Sequence, residues 1–306
     1  MTLDIAARIS KGNRFPDGAG CEIGDTILLS AEDDAQDTVR PRLEAAGADL
    51  SRVHRIAAVK VVLGDGAESE STFNLERDIE KLEESLVRLP TARLLIVDPL
   101  TAYLGKIDAH RDAEVRHVLA PLSEIASRRR IAVIGVMHLR KSDTSALLRI
   151  SGSIGFAAAA RTIWGFGEDP DEPQSRVMTP VKNNLAPLGT GLGYQITAES
   201  DNAPFIVWEK EPVTLTADEV LTSDLKEKRD RAKQQVKAEQ WLRNLLAVGP
   251  VPSAQIESEA RKAGLKWRSV HRVKDRLGIK THKAGMSGGW VWELPEDAKK
   301  GGEHAK

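Results

Sequence analysis

The segment Arg93-Leu-Leu-Ile-Val-Asp98 is apolar at four consecutive positions and then ends in an acid. A half-buried strand alternates apolar and polar residues, whereas a run without alternation belongs to a strand covered on both faces. Such a strand needs helices above and below it, and the flanking sequence supplies them. Thr26–Ser30, Arg55–Leu63 and Ile131–Met137 read as further strands, and Asp37–Ala46, Leu75–Leu89 and Ala113–Arg128 as helices. Leu75, Ile79, Leu82 and Leu86 keep a helical period with charges between them. This alternation predicts an α/β fold, a mostly parallel sheet between helices. Four shorter runs, Arg161–Gly165, Arg176–Lys182, Gly193–Thr197 and Pro204–Trp208, predict an antiparallel extension, so that the body spans 1–212.

Residues 213–231 are polar, carry the charge run Lys226-Glu-Lys-Arg-Asp-Arg231 and read as a linker. A second unit follows at 232–294. Val236–Leu246 reads as a helix. Ser253 is placed to cap a second helix that Gly264 closes, and Trp267–Leu277 reads as a third. Ile279–Lys283 and Trp290–Leu294 flank a Gly-rich turn, so three helices precede a β-hairpin, the order of a winged helix-turn-helix. Trp290 and Trp292 alternate with Val291 and are expected to share a core-facing side, and Trp241 is expected in the core as well. Residues 295–306 read as a disordered tail.

The net charge of −1 conceals an asymmetry: 1–217 carry 25 Lys+Arg and 32 Asp+Glu, whereas 218–306 carry 19 and 13. A basic piece on an acidic body points to a nucleic-acid module joined to a different engine. One cysteine, Cys21, excludes an internal disulfide and fits a reducing cytoplasm. No apolar run approaches the ~20 residues that cross a bilayer, and Met1-Thr-Leu-Asp4 does not open a signal peptide. A cytoplasmic protein without membrane contact is expected.

Three strand ends carry chemistry. Asp98 closes one and is able to hold a Mg²⁺ shell at the ligand-binding edge of a parallel sheet. Glu32, within Glu32-Asp33-Asp34, follows another and is able to orient or deprotonate a water. His138 follows the third. An acid that begins a loop is also a frequent helix cap, and a lone histidine is often structural. Three such groups converging on one edge favour a site.

In order along the chain, Leu28-Leu-Ser-Ala-Glu-Asp-Asp34, Leu95-Ile-Val-Asp-Pro-Leu100, Arg111-Asp-Ala-Glu-Val-Arg116, Met137-His-Leu-Arg-Lys141, Arg149-Ile-Ser-Gly-Ser-Ile-Gly-Phe156 and Lys182-Asn-Asn-Leu-Ala-Pro187 resemble the RecA-like AAA-family ATPases of the RepA-type replicative helicase group. The resemblance covers about 1–212. It implies a P-loop NTPase core using ATP and Mg²⁺, a hexameric ring moving on DNA, and a primase or replication initiator as partner. It matches Asp98 to the Walker B acid that positions Mg²⁺ through water, Glu32 to the acid that activates water, and His138 to the γ-phosphate sensor. Residues 142–153 match the mobile loop, with Arg149 on DNA. Arg161 or Lys182 matches the residue that reaches a neighbouring subunit's nucleotide, and Asn184 stands where relatives carry an arginine finger.

The resemblance fails at the phosphate loop. G-x-x-x-x-G-K-[ST] supplies the backbone N–H groups and the lysine that cradle phosphates, and it does not occur in this sequence; Gly105-Lys106 follows Asp98 and lacks the first glycine. Residues 1–10 resemble the helix that follows such a loop. The expectation is therefore a core without its first strand and phosphate loop, either cut short or a nucleotide-blind relative whose gap another chain fills.

In Trp267–Leu277, Val270, Val273 and Leu277 are spaced to face a core, which leaves Arg268, Arg272, Lys274 and Arg276 for DNA in the manner of a recognition helix, with Lys283 beside the wing. Two functions follow: an ATP-driven DNA motor of a plasmid, phage or integrated element, or a non-catalytic DNA-binding protein acting through 232–294.

Overall fold

The structure, a computed structural model, describes residues 1–56, 58–62, 68–109, 111–139, 154–170, 172, 174–198, 202–221, 225–265, 267–283 and 289–295. The chain divides into two units, Met1–Ser223 and Asp224–Lys306. In the first, α1 (Thr2–Lys11) ends at Gly12, whose φ of +69° lets the backbone turn left-handed and return N–H groups to the last helical carbonyls. Then come β1 (Asp25–Ser30), α2 (Arg40–Ala45), β2 (Val53–Arg55), β3 (Val59–Val62), β4 (Glu68–Ser71), α3 (Ile79–Arg88), β5 (Ala92–Asp98), α4 (Asp112–Arg129) and β6 (Ala132–Gly135). They are followed by α5 (Ile154–Ala159), β7 (Thr162–Glu168), β8 (Ser175–Asn183), β9 (Gly191–Thr197), β10 (Phe205–Val213) and α6 (Ala217–Leu221).

A parallel sheet runs in the order β2-β1-β5-β6, and an antiparallel sheet in the order β10-β9-β8-β7. Alternation within the apolar strands explains their composition. Ile27, Leu29, Leu95 and Val97 pack with Leu82 and Leu86 of α3 and with Val115, Val118 and Leu122 of α4. Leu28, Leu94 and Ile96 point the other way, onto Ala6 and Ile9 of α1 and Leu43 of α2. Both faces are covered, so neither register of the strand tolerates a polar side chain. Each such burial stabilises by about 1.5–3 kcal/mol at most.

Several boundaries differ from the sequence expectation. Where the sequence predicts one strand over Arg55–Leu63, Arg55 closes β2, parallel to β1, and Val59–Val62 form β3, which pairs antiparallel with β4. β-branched residues signal a strand without specifying its partner. The helix expected from Leu75 starts at Ile79, because Asp78 locks the preceding turn. Its carboxylate accepts from the Asn74 N–H (3.0 Å), Arg77 (2.7 Å) and Lys81 (3.2 Å). The strand expected to reach Met137 stops at Gly135. Residues 213–221, expected in the linker, are core: Val213, Leu215, Val220 and Leu221 are buried with Val177. Their four apolar side chains are diluted by Thr, Asp and Glu, which hid them.

The second unit contains α7 (Leu225–Leu246), β11 (Val251–Pro252), α8 (Ser253–Lys262), α9 (Trp267–Arg276), β12 (Lys280–Lys283) and β13 (Trp290–Glu293). Its three strands are antiparallel in the order β11-β13-β12. Leu242, Leu246, Ile256, Val270, Val273 and Trp292 form its core, with Trp241 packed against them. Ser253 is the first helical residue; Pro252 occupies the cap position, and no side chain caps α8. Gly264, at φ +68°, follows that helix. Trp290 departs from the expected core position: it is 56% exposed, while Trp292 is 2% exposed. Residues 296–306 and 140–153 lie outside the described residues, so the tail and the mobile-loop expectation have no counterpart here. Among the described residues, no helix is long and apolar enough to cross a membrane.

Candidate active site

Register brings the three expected residues to one edge. Ser30 lies beside Asp98, and Val97 beside Gly135, in neighbouring parallel strands. The pairing continues past the strands: Ala31 N–H donates to the Asp98 carbonyl (3.0 Å) and Val136 N–H to that of Val97 (2.9 Å). Glu32, Asp98 and His138 therefore emerge together at the carboxyl ends of β1, β5 and β6. His138 Nε2 stands 3.5 Å from Glu32 Oε2, with both side chains well exposed.

The acids after β1 have distinct tasks. Asp34 caps the turn Ala35–Val39, its carboxylate accepting from the N–H groups of Gln36 (2.8 Å) and Asp37 (3.0 Å). Those bonds, led by that from Asp37, hold its carboxyl below the usual range. Asp33 pairs with Arg42 at 3.2 Å. Glu32 is left to face His138. Asp98 behaves oppositely: burial raises its carboxyl above the ordinary value, and the charges of Asp33 and Glu32 add to this against an opposing contribution from His138. A hollow of about 170 Å³ opens between Asp98, Ser30, Asp33, Arg42, the first turn of α1 and Phe205.

The excess negative charge around Asp98 suits a divalent cation. Among the described residues, no three side chains of His, Cys, Asp or Glu are grouped to hold one directly. A cation here would be held mainly by water and substrate oxygens, as Mg²⁺ usually is. For the phosphate end of a nucleotide, residues 1–306 offer no G-x-x-x-x-G-K-[ST] loop. The acid end of the site thus fits Mg²⁺, and the phosphate end is unmet within this sequence.

The remaining residues are dispersed. Lys182 is turned inward, its Nζ donating to the carbonyls of Ala157 (2.6 Å) and Ala160 (2.9 Å) at the end of α5. Arg161 is exposed at the start of β7, and its carbonyl accepts from Asn184 N–H at 2.9 Å. Arg149 lies outside the described residues. In the second unit, Arg268, Arg272 and Arg276 lie on α9 with Lys274, and Lys283 is exposed on β12. Lys274 sits 5.1 Å from the Trp292 ring centroid with a side chain only 17% exposed. Positions 267, 271 and 274 share a helical face, and that face is the aromatic one. Two neighbours of the site were not anticipated: Arg42, and Arg55, whose guanidinium donates to the Ser30 carbonyl at 3.2 Å. No spacing in the sequence announces either.

Residues 1–144, just under half of the chain, match the family model described as "AAA domain". No curated protein matches the chain. Among solved structures, one described as the crystal structure of the RadB recombinase is similar at 17% identity, covering 57% of this chain and 76% of that one with a TM-score of 0.38.

Proposed function

We propose that this chain serves an ATP-hydrolysing DNA motor. The observation that carries the reading is the convergence of Glu32, Asp98 and His138 on one edge of a parallel sheet, with His138 3.5 Å from Glu32. The match of 1–144 to an AAA domain model supports it. Bound there, Mg²⁺ would supply charge neutralisation at phosphate oxygens. Glu32 would accept a proton from an attacking water, His138 would orient that carboxylate, and Asp98 would supply negative charge to hold the cation through water. Of the two candidates for reaching a neighbouring subunit of a ring, Arg161 is exposed, whereas the Lys182 Nζ is engaged by the Ala157 and Ala160 carbonyls; Arg149 is the candidate for contacting DNA. Helicase action in replication of a plasmid, phage or integrated element, hexamer formation and a primase or initiator partner belong to the same proposal.

The phosphate loop and the strand before it belong beside β6 in this reading. Among the described residues β6 pairs only with β5, and Ala132 and Gly135 are exposed, whereas β1 is buried at every position. A further parallel strand on that edge would cover it.

The second unit is read as a winged helix. Three helices and a three-stranded antiparallel sheet support this, as does the net positive charge of 232–294. Arg268, Arg272, Arg276 and Lys283 are its candidate DNA contacts, with Lys274, whose side chain is only 17% exposed. The alternative is DNA binding without catalysis.

The test is ATP hydrolysis with Mg²⁺, with and without DNA, by the full chain as its own cells make it, whose intact mass also reports any preceding segment. Loss of hydrolysis in Asp98→Ala and Glu32→Gln supports the motor. Undiminished hydrolysis in both variants overturns the site. DNA binding indifferent to ATP, without hydrolysis, selects the alternative.

A further inference from the structure

The β12–β13 hairpin has two faces, and directly opposed residues share one. Thr281 opposes Trp292 and Lys283 opposes Trp290, so these four lie on the side that carries the core indole. Trp292 is sealed there. It stacks on Trp267 with centroids 5.5 Å apart and planes at 20°, meets His271 edge-on at 5.0 Å, and lies under Lys274. Two residues earlier in β13, about 7 Å along the strand, Trp290 continues the same aromatic row and is 56% exposed.

An indole left this open forgoes much of the stabilisation its large apolar surface would provide. Its cross-strand partner is a cation and not an apolar side chain. Lys283, directly opposite Trp290, is exposed, whereas Lys280 and His282 lie with buried Val291 on the other face of the pair. A protein-docking surface would extend the apolar patch and lacks a reason to set a lysine directly opposite the indole. A polyanion with flat rings answers both features: lysine meets a phosphate and the indole meets a base. Within a duplex, both faces of a base are already stacked on neighbours. Only an unpaired base offers a free face.

We infer that Trp290 and Lys283 form a binding site for an unpaired DNA base and its phosphate, so that the second unit grips the place where duplex gives way to single strand. This rests on the reading that the second unit binds DNA. It adds a preference for DNA structure, with α9 on the duplex and the hairpin on the freed strand.

The experiment uses the full chain and two probes: a blunt duplex, and the same duplex with a single-stranded DNA extension. The wild type is expected to bind the extended probe roughly tenfold tighter, the scale of one base–aromatic stack. Trp290→Ala should erase that advantage while leaving blunt-duplex affinity intact, and Trp290→Phe should keep most of it. Lys283→Gln should lower the salt slope on the extended probe by about one. Because Trp290 is exposed, Trp290→Ala should melt as the wild type does. A wild type without preference overturns the inference, as does a Trp290→Ala protein that keeps it. If Arg272→Ala still weakens blunt-duplex binding in that case, the DNA-binding reading stands alone. A wild type that binds neither probe overturns both.

Discussion

The indole N–H of Trp208 donates to the carboxylate of Asp4 at 3.0 Å, across 204 positions of sequence. Asp4 also accepts from Arg8 Nε at 2.9 Å and is itself buried. One carboxylate therefore fastens α1, at the beginning of the first unit, to β10, near its end. Trp208→Phe keeps the ring and removes the donor. The expected loss is about 1–2 kcal/mol, read as a lower urea midpoint with an unchanged slope. An unchanged midpoint would show that Arg8 alone satisfies Asp4.

Asp78 has a different task, holding the turn that starts α3. Burial works against its charge, but Arg77, the Asn74 N–H and Lys81 prevail and keep its carboxyl below the ordinary value. The stability it contributes is therefore present above the ordinary carboxylate range and is lost as pH falls through the depressed value. Asp78→Ala should cost about 2–3 kcal/mol at neutral pH, since it leaves the turn's donors unpartnered. The gap from wild type should close in acid. A gap independent of pH would contradict the assignment.

Gly167 shows why α6 belongs to the first unit. A Cβ built there would stand 2.7 Å from Val220 Cγ1 and 2.9 Å from the Val220 carbonyl oxygen. Gly167→Ala must push α6 outward, at about 1–3 kcal/mol. Gly189→Ala, where a Cβ meets nothing within 4 Å, serves as the control. Equal melting temperatures for the two variants would mean that α6 is held loosely.

Stability and chemistry are opposed at Asp98. Its carboxyl is raised, so the folded chain holds a proton that the unfolded chain would release. Stability consequently falls as pH rises through the window between the ordinary and raised values, and stays lower above it. Asp98→Asn should melt higher than wild type at neutral pH, with the advantage shrinking in acid, while any ATP hydrolysis falls by at least about a hundredfold. A variant that melts lower at neutral pH would deny that the charge is disfavoured there.

What was legible in the sequence follows from what a local pattern contains. Leu94 to Val97 announced a doubly covered strand because burial on both faces leaves no polar position, and Asp98 stood out against that background. The end of β1 was visible in the same way, whereas β6, less covered, stops at Gly135 short of the expected Met137. Pairing was not: nothing in Arg55–Leu63 says that β2 joins β1 while β3 folds onto β4. The three acids after β1 look alike in sequence, and only backbone geometry makes Asp34 a cap. Alternation put Trp290 and Trp292 on one face, but the length of that face that Trp267 and His271 cover is a tertiary fact.

The pairing of Ser30 with Asp98 and of Val97 with Gly135 has one more consequence. Side chains alternate along a strand, so a slip of one residue would exchange the two faces of β5. A slip that drew Asp98 inward to the place of Val97 would press it as an unpaired charge beneath the helices that cover that face, and Pro99 would stand at the edge in its place. Such a copy would be inert, and the same buried charge would make it unstable enough to unfold and be cleared. Errors of assembly at this site thus remove themselves from the population, and proteins that persist are those with the acid in position.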